Sequence, residues 1–348
     1  MTGNLIFLSN PGSGVSRATV GPGGEWHVET LLPGVRISCL VSSPGASAAL
    51  YAGAHREGVL RSDDQGKTWR PAGLAGTTVK ALAVSPQDPD TIYAGCRPIS
   101  MYVSRNGGNS WEELPAFRRV RRWWMFSPAE PGDLRAYVQA IAVSPTDPRV
   151  ILAGIELGGV VRSEDGGRSW SGHLKGSLRD CHSLKFHSHD GNWAYEAGGT
   201  GGGASFSTDG GEHWHKARKG LAKHYGVACA ADPERPDIWY VSVAPSPGKS
   251  FGERAEVYLY RSGDFPSNGS DGNVGSTAGD PLWRPAAWQP HPLRQMPMAL
   301  VTDPGAPGSL YAGLGHGDVW YSADYGDSWQ KYPFNLRGIW SSLVILRG

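Results

Sequence analysis

Ser62-Asp63-Asp64-Gln65-Gly66-Lys67-Thr68-Trp69 is the stretch that decides the fold, because its pattern Ser-x-Asp/Asn-x-Gly-x-(Thr/Ser)-Trp returns along the chain. The other copies are Ser104-Asn106-Gly108-Ser110-Trp111, Ser163-Asp165-Gly167-Ser169-Trp170, Ser207-Asp209-Gly211-Trp214 and Ser322-Asp324-Gly326-Ser328-Trp329, with His213 replacing the hydroxyl residue in the fourth of these five. Each octet reads as a hairpin turn: the Asp or Asn side chain folds back onto nearby backbone N–H groups, and Gly supplies a positive φ. Upstream of the octets stands a second phrase, an apolar strand closed by Ser-Pro or Asp-Pro and then a short strand closed by Ala-Gly. Ala81 to Pro86 with Ile92-Tyr93-Ala94-Gly95, Ala140 to Pro145 with Ile151 to Gly154, and Leu300 to Pro304 with Leu310 to Gly313 are examples. Four short strands joined by turns make one repeat, the unit of a β-propeller blade.

Counting the Trp that opens each fourth strand gives Trp26, Trp69, Trp111, Trp170, Trp214, Trp283 and Trp329, hence a seven-bladed, all-β propeller over residues 1–348. The first blade keeps only Gly23-Gly24-Glu25-Trp26 of its turn and starts directly with Leu5-Ile6-Phe7-Leu8, whereas the chain ends on an apolar run, Ile339 to Leu346. The spacing therefore predicts that the last strand enters the first blade and closes the ring, which removes raw sheet edges. Insertions are expected at 115–135, 244–256 and 265–282.

The octets resemble the Asp-box, or BNR, repeats of bacterial sialidases, sortilin-type receptors, some xyloglucan-degrading enzymes and the photosystem II assembly factor. That resemblance spans essentially the whole chain. It implies a propeller whose Asp-box turns are structural and lie on the face opposite the ligand site; it does not by itself fix a function. Sialidase chemistry would need an arginine triad. Arg36-Ile37-Ser38 stands where sialidases carry Arg-Ile-Pro, with Ser38 for the proline, and Arg97, Arg294 and Arg337 match no motif.

Composition sets limits. The 49 Gly and 26 Pro fall at turn positions of a regular repeat rather than in a disordered tract, and 14 Trp are available for packing between blades. A net charge of +1 gives no case for a nucleic-acid partner. Cys39, Cys96, Cys181 and Cys229 fall in or beside strands of different blades without CxxC spacing, so reduced thiols are expected. No membrane-length apolar stretch and no secretory signal pattern is present, and a cytoplasmic location is the expectation.

Propeller ligands usually sit at the mouth formed by the loops joining second to third strands and by the residues leading into the inner strands. The loops are 10–13, 54–57, 96–99, 155–157, 198–203, 244–256 and 314–318, and the inner strands are approached through Arg36, Lys80, Gln139, His182, His224-Tyr225, Gln295 and Trp340. Among these, His182, His224 and His316 come from three consecutive blades, an arrangement able to hold one divalent metal ion. Glu196, Glu156 and His55 are the candidate proton-moving groups; in Tyr195-Glu196-Ala197-Gly198 an added residue is expected to bulge the strand and aim the carboxylate inward. Arg36, Lys80, Arg97, Gln139 and Tyr225 are the candidate substrate-binding side chains, with Trp123 and Trp124 from the insertion Phe117 to Phe126, where four arginines and several aromatics suit a ligand lid or a protein contact.

Two function classes stand open on these residues. One is an enzyme, hydrolase or lyase, acting on a small molecule or glycan in the central pocket, with a carboxylate pair as the glycosidase variant. The other is a non-catalytic scaffold that grips a protein partner through 117–126.

Overall fold

The computed structural model describes residues 5–45, 48–120, 135–199, 202–263, 282–286 and 292–347. Seven antiparallel sheets follow one another along the chain, six of them four-stranded and one three-stranded. Their inner strands are Leu343–Arg347, Ile37–Ser42, Thr78–Val84, Val138–Val143, Cys181–Phe186, Tyr225–Ala231 and Pro297–Thr302, in blades one to seven. Each neighbours the inner strand of the next, so the blades form a ring.

The closure expected from the two chain ends is present. Leu343–Arg347 pairs antiparallel with Leu5–Ser9, from Leu5 opposite Arg347 to Ser9 opposite Leu343. The strand is shorter than the apolar run suggested, because residues 339–342 are held differently: Asn10 O accepts from Trp340 N at 2.9 Å, and Asn10 Oδ1 accepts from Ser341 N at 3.2 Å and Ser342 N at 3.0 Å. This side-chain clasp fixes the chain before it turns into the ring.

Apolar burial is divided into seven clusters, each shared by two adjacent blades. Strand alternation explains the division. In Leu50–Ala54, Leu50, Ala52 and Ala54 face blade one while Tyr51 faces blade three, so both strand faces are buried and the sequence reads as continuously apolar. The glycine of the Ala-Gly phrase has a packing cause: a Cβ on Gly95 would come within 2.5 Å of Val138 Cγ1, and one on Gly154 within 2.3 Å of Cys181 Sγ, both on the next blade's inner strand. At the junction of blades seven and one, Phe7 sits 4.7 Å from Tyr332 and 5.1 Å from Phe334, and Trp26 4.5 Å from Phe334.

The octets fold as their sequence predicts. Ser62 Oγ accepts from Gly66 N at 2.9 Å and donates to Asp64 Oδ1 at 2.8 Å, while Asp64 Oδ2 accepts from Thr68 Oγ1 at 2.6 Å. Gly66 lies at φ +83°. The same network recurs around Asp165, Asp209 and Asp324, and His213 Nδ1, 2.7 Å from Asp209 Oδ2, takes the hydroxyl's place. Asn106 accepts from Ser110 N in the same manner.

The insertions are only partly described. Pro115–Val120 is a 3-10 helix that buries Phe117 and Val120, with Phe117 edge-on to Trp170 at 4.8 Å. Trp123 and Trp124 lie outside the described residues, as does nearly all of 265–282. The 244–256 segment is stitched to the approach of blade seven by the Phe251–Gln295 bridge, and Val257, just after it, bridges Leu293. Among the described residues no helix is long and apolar enough to cross a membrane.

Candidate functional site at the propeller mouth

A repeated irregularity of the inner strands builds the mouth. In blades two, three, four and five, pairing with the second strand shifts register between Ile37 and Cys39, Val79 and Ala81, Val138 and Ala140, and Cys181 and Ser183. The residue left over by each shift is Ser38, Lys80, Gln139 and His182. A β-bulge re-aims one side chain without breaking the strand, and all four of these residues line a central cavity of about 1310 Å³. In blade seven the corresponding residue is Met298, not Gln295, and in blade six Val227 and Ala228 span the shift. Lys80, Gln139 and His182 are among the inner-strand approaches read from the sequence, whereas Ser38 is not, because a bulge carries no residue-type signature.

Arg36, His55 and Arg97 also line the cavity, as does Trp340, whose indole is 68% exposed at its rim. The described lining carries seven basic side chains, Arg36, Arg56, Lys80, Arg97, Arg118, Arg135 and Lys185, and no Asp or Glu. Since the whole chain has a net charge of only +1, this is local concentration of charge. Arg118 is ion-paired with Glu113, just beyond the cavity wall. Arg97, only 4% exposed, places its guanidinium 4.0 Å from the centroid of the Tyr137 ring, and Lys80 Nζ lies 4.4 Å from the same centroid. Two cations share one aromatic ring. The field registers on His55: partial burial, then Arg36, Arg56, Lys80 and Arg97, hold its pKa below the ordinary 6.5.

Glu196 is placed otherwise than expected. The strand Ala194–Gly198 pairs without a break from Phe186 opposite Ala194 to Ser183 opposite Ala197, so no added residue bulges it. Glu196 occupies the place that Ala94 and Ala312 hold in their blades. Its side chain is fully buried inside the blade and does not face the mouth, and its Oε2 accepts from Leu178 N at 2.8 Å and Ser205 Oγ at 2.7 Å. Burial pushes its pKa up to about 7, against hydrogen bonds from Leu178 and Ser205 that pull the other way. Glu156 follows the second strand of blade four, its N–H donating to Tyr137 O at 3.2 Å, and it too is absent from the cavity lining. The two acids therefore do not flank the cavity as a glycosidase pair.

The three histidines are not gathered about one point either. His224 Nε2 lies 3.0 Å from Leu221 O, and His316 Nε2 lies 2.8 Å from Asp318 Oδ2. Neither lines the cavity. Each imidazole is committed to its own loop, which is the physical reason that blade order alone misplaced them. His182 instead stands with Glu156 and Asp180, one ligand atom from each lying within 4.8 Å of the others. Tyr225 is half-buried behind it, ring centroids 5.2 Å apart, and burial followed by the Asp180 and Glu156 charges pushes its pKa up to about 12.

No family model matches the chain. Two curated proteins are similar to short parts of it: a probable oligoxyloglucan-reducing end-specific xyloglucanase of Neosartorya fischeri, 31% identical over 83 residues, and an oligoxyloglucan-reducing end-specific xyloglucanase of Emericella nidulans, 30% identical over 83 residues. In each case the match takes in 22% of this chain and 10% of the relative's length. Among solved structures, the GH74 xyloglucanase of Xanthomonas campestris superposes with a TM-score of 0.66 at 20% identity, over 97% of this chain and 52% of that one. YCF48 from Cyanidioschyzon merolae superposes at 0.55 with 14% identity over 88% and 87% of the two chains. YCF48 bound to D1 peptide gives 0.54 at 15% identity, over 86% of each chain. These likenesses establish the seven-bladed fold, with a GH74 xyloglucanase and YCF48 among its neighbours.

Proposed function

We propose that this propeller holds an acidic saccharide in its central mouth, with Arg36, Lys80 and Arg97 neutralising the ligand's carboxylate or sulfate groups. The observation that carries the reading is a cavity lined by seven basic and no acidic described side chains. Its size, about 1310 Å³, exceeds the roughly 300–1,000 Å³ of small-molecule pockets and suits an extended chain. The resemblance of the octets to Asp-box repeats and the short matches to xyloglucanases support a saccharide, while the charge disfavours a neutral one.

Of the two enzyme branches, the charge favours the lyase. Glycosidic hydrolysis draws on two carboxyls about 5–9.5 Å apart facing one cleft, and the lining contributes none. Elimination from a uronate needs cations to neutralise the carboxylate, which acidifies the adjacent C–H, and a base to take that proton; the C–O bond on the next carbon breaks as the C=C bond forms, and the departing oxygen takes a proton from solvent water and leaves as an alcohol. Partial burial, and then the same cations, hold the His55 pKa below the ordinary 6.5, which favours its base form at neutral pH. The second reading, a non-catalytic scaffold that captures an acidic peptide segment, draws support from the same cavity and from the likeness to YCF48 bound to D1 peptide.

Calorimetric titration with oligogalacturonate and with neutral xyloglucan oligosaccharide tests the proposal. Tighter binding of the acidic oligomer is expected, weakening with salt and by about tenfold in R36A and in K80A. H55Q should lower the formation of unsaturated uronate, read by ultraviolet absorbance, by about 10²–10⁴-fold while leaving affinity in place. Equal affinity for the neutral oligomer would sink the acidic-saccharide reading; acidic binding without unsaturated product in the wild type would remove the lyase and leave the scaffold.

A further inference from the structure

The boundary of blades four and five carries a second constellation, which the binding of an acidic saccharide does not use. Asp180 immediately precedes the inner strand Cys181–Phe186, His182 is the residue its bulge re-aims, and Glu156 arrives from the loop after Ile151–Ile155. Their ligand-capable atoms lie within 4.8 Å of one another.

The tautomer of His182 is fixed by its partner. Nδ1 lies 2.7 Å from Gly226 O, and since a carbonyl oxygen only accepts, Nδ1 carries the hydrogen and donates. In the neutral imidazole Nε2 is then a bare lone pair, and it lies 3.5 Å from Asp180 Oδ1. A lone pair facing a carboxylate oxygen is repulsive unless a proton or a metal ion lies between them. The separation is too long for a good hydrogen bond, which falls at about 2.7–3.2 Å. It is close to the roughly 3.4 Å that separates a nitrogen and an oxygen each about 2.0–2.2 Å from one tetrahedral ion. An imidazole whose far nitrogen donates to a backbone carbonyl is also the usual second-shell arrangement of a metal ligand.

We propose that Glu156, Asp180 and His182 form a site for a first-row divalent ion, Zn²⁺ in the first place, with one nitrogen and two carboxylate ligands. His182 lines the mouth, so the remaining coordination position is reachable by an oxygen of an anionic ligand there. This ligand set differs from the three-histidine arrangement read from blade order, and it does not depend on a saccharide being the ligand.

Protein purified without a histidine tag and dialysed against a chelator is titrated with Zn²⁺ and with Co²⁺. The expected result is one equivalent of either ion per chain and, for Co²⁺, the intense visible absorption of a low-coordinate site, bleached on adding Zn²⁺. Affinity should fall at least tenfold in H182Q and in D180N and stay unchanged in H224Q and H316Q. A wild-type protein that takes up no stoichiometric Zn²⁺ or Co²⁺ overturns the site, as does undiminished affinity in H182Q. Should a variant fail to fold, the wild-type Co²⁺ spectrum decides alone: absent or octahedral absorption counts against the site.

Discussion

Glu196 and His55 show how far one side chain's chemistry is set by its surroundings. For Glu196, burial raises the folded-state pKa from 4.5 to about 7, so the folded protein keeps a proton that the unfolded chain gives up. Its contribution is therefore neutral to stability below about pH 4.5, and becomes a loss as pH rises that is complete above about pH 7, on the order of 3 kcal/mol. E196Q should flatten the stability profile between pH 4.5 and 7 and melt higher than wild type at pH 8. Unchanged pH dependence in this variant would mean that Glu196 is ionised inside the blade. His55 has the opposite sign of shift. Its folded pKa is lowered, so protonation favours the unfolded chain and stability drops as pH falls below about 6.5. Titration of its ring by NMR should give a midpoint below 6.5 that climbs in R36A and in K80A; an unmoved midpoint would mean that the cations do not act on it.

At the scale of the element, the hairpin octet and the bulge of the inner strand lie at opposite ends of a blade. The octet of blade two, through Asp64, Gln65 and Lys67, lines a separate cavity of about 780 Å³ together with Ser42 and Ser43 at the far end of the inner strand from Ser38. Hydrogen bonds from Thr68 hold the Asp64 carboxyl down to about 2, so the turn keeps its acceptor until strongly acid pH. Replacing Asp324 with Ala removes the acceptor for Ser328 N and Ser328 Oγ and should cost on the order of 1 kcal/mol, seen as a lower melting temperature. Ligand affinity at the mouth should not change. If D324A loses affinity at unchanged stability, the octet end is the functional one and the mouth has been misassigned.

Across the whole molecule the ring is held by seven interblade clusters and a single seam. Each cluster joins blades adjacent in sequence except the one that joins blade seven to blade one, where Phe7 and Trp26 meet Tyr311, Tyr332 and Phe334. The seam is completed by the final strand and by the Asn10 clasp on residues 340–342. Removing residues 339–348 should expose the edge of Leu5–Ser9 and the apolar faces of Ile6 and Leu8, giving aggregation or loss of the cooperative melt. A soluble truncated protein with unaltered melting would show that the ring closes without this strand.

By itself the sequence determined the blade, the blade count and the closure, because these depend on local periodicity: Ser62 to Trp69 and its copies make the same hydrogen bonds wherever they occur, and an inner strand missing at one end has one complement at the other. It also located His55, Arg36, Lys80, Arg97, Gln139 and His182 at the mouth, since chain position within a repeat fixes which end of the ring a residue reaches. Only the tertiary structure decided which side chains face the cavity. Register shifts turn Ser38 and His182 toward it, unbroken pairing turns Glu196 away into the blade, and Gly226, from the next blade, sets the tautomer of His182. Such choices rest on contacts between residues 44 or more positions apart, or on one-residue changes of pairing that leave no trace in residue type.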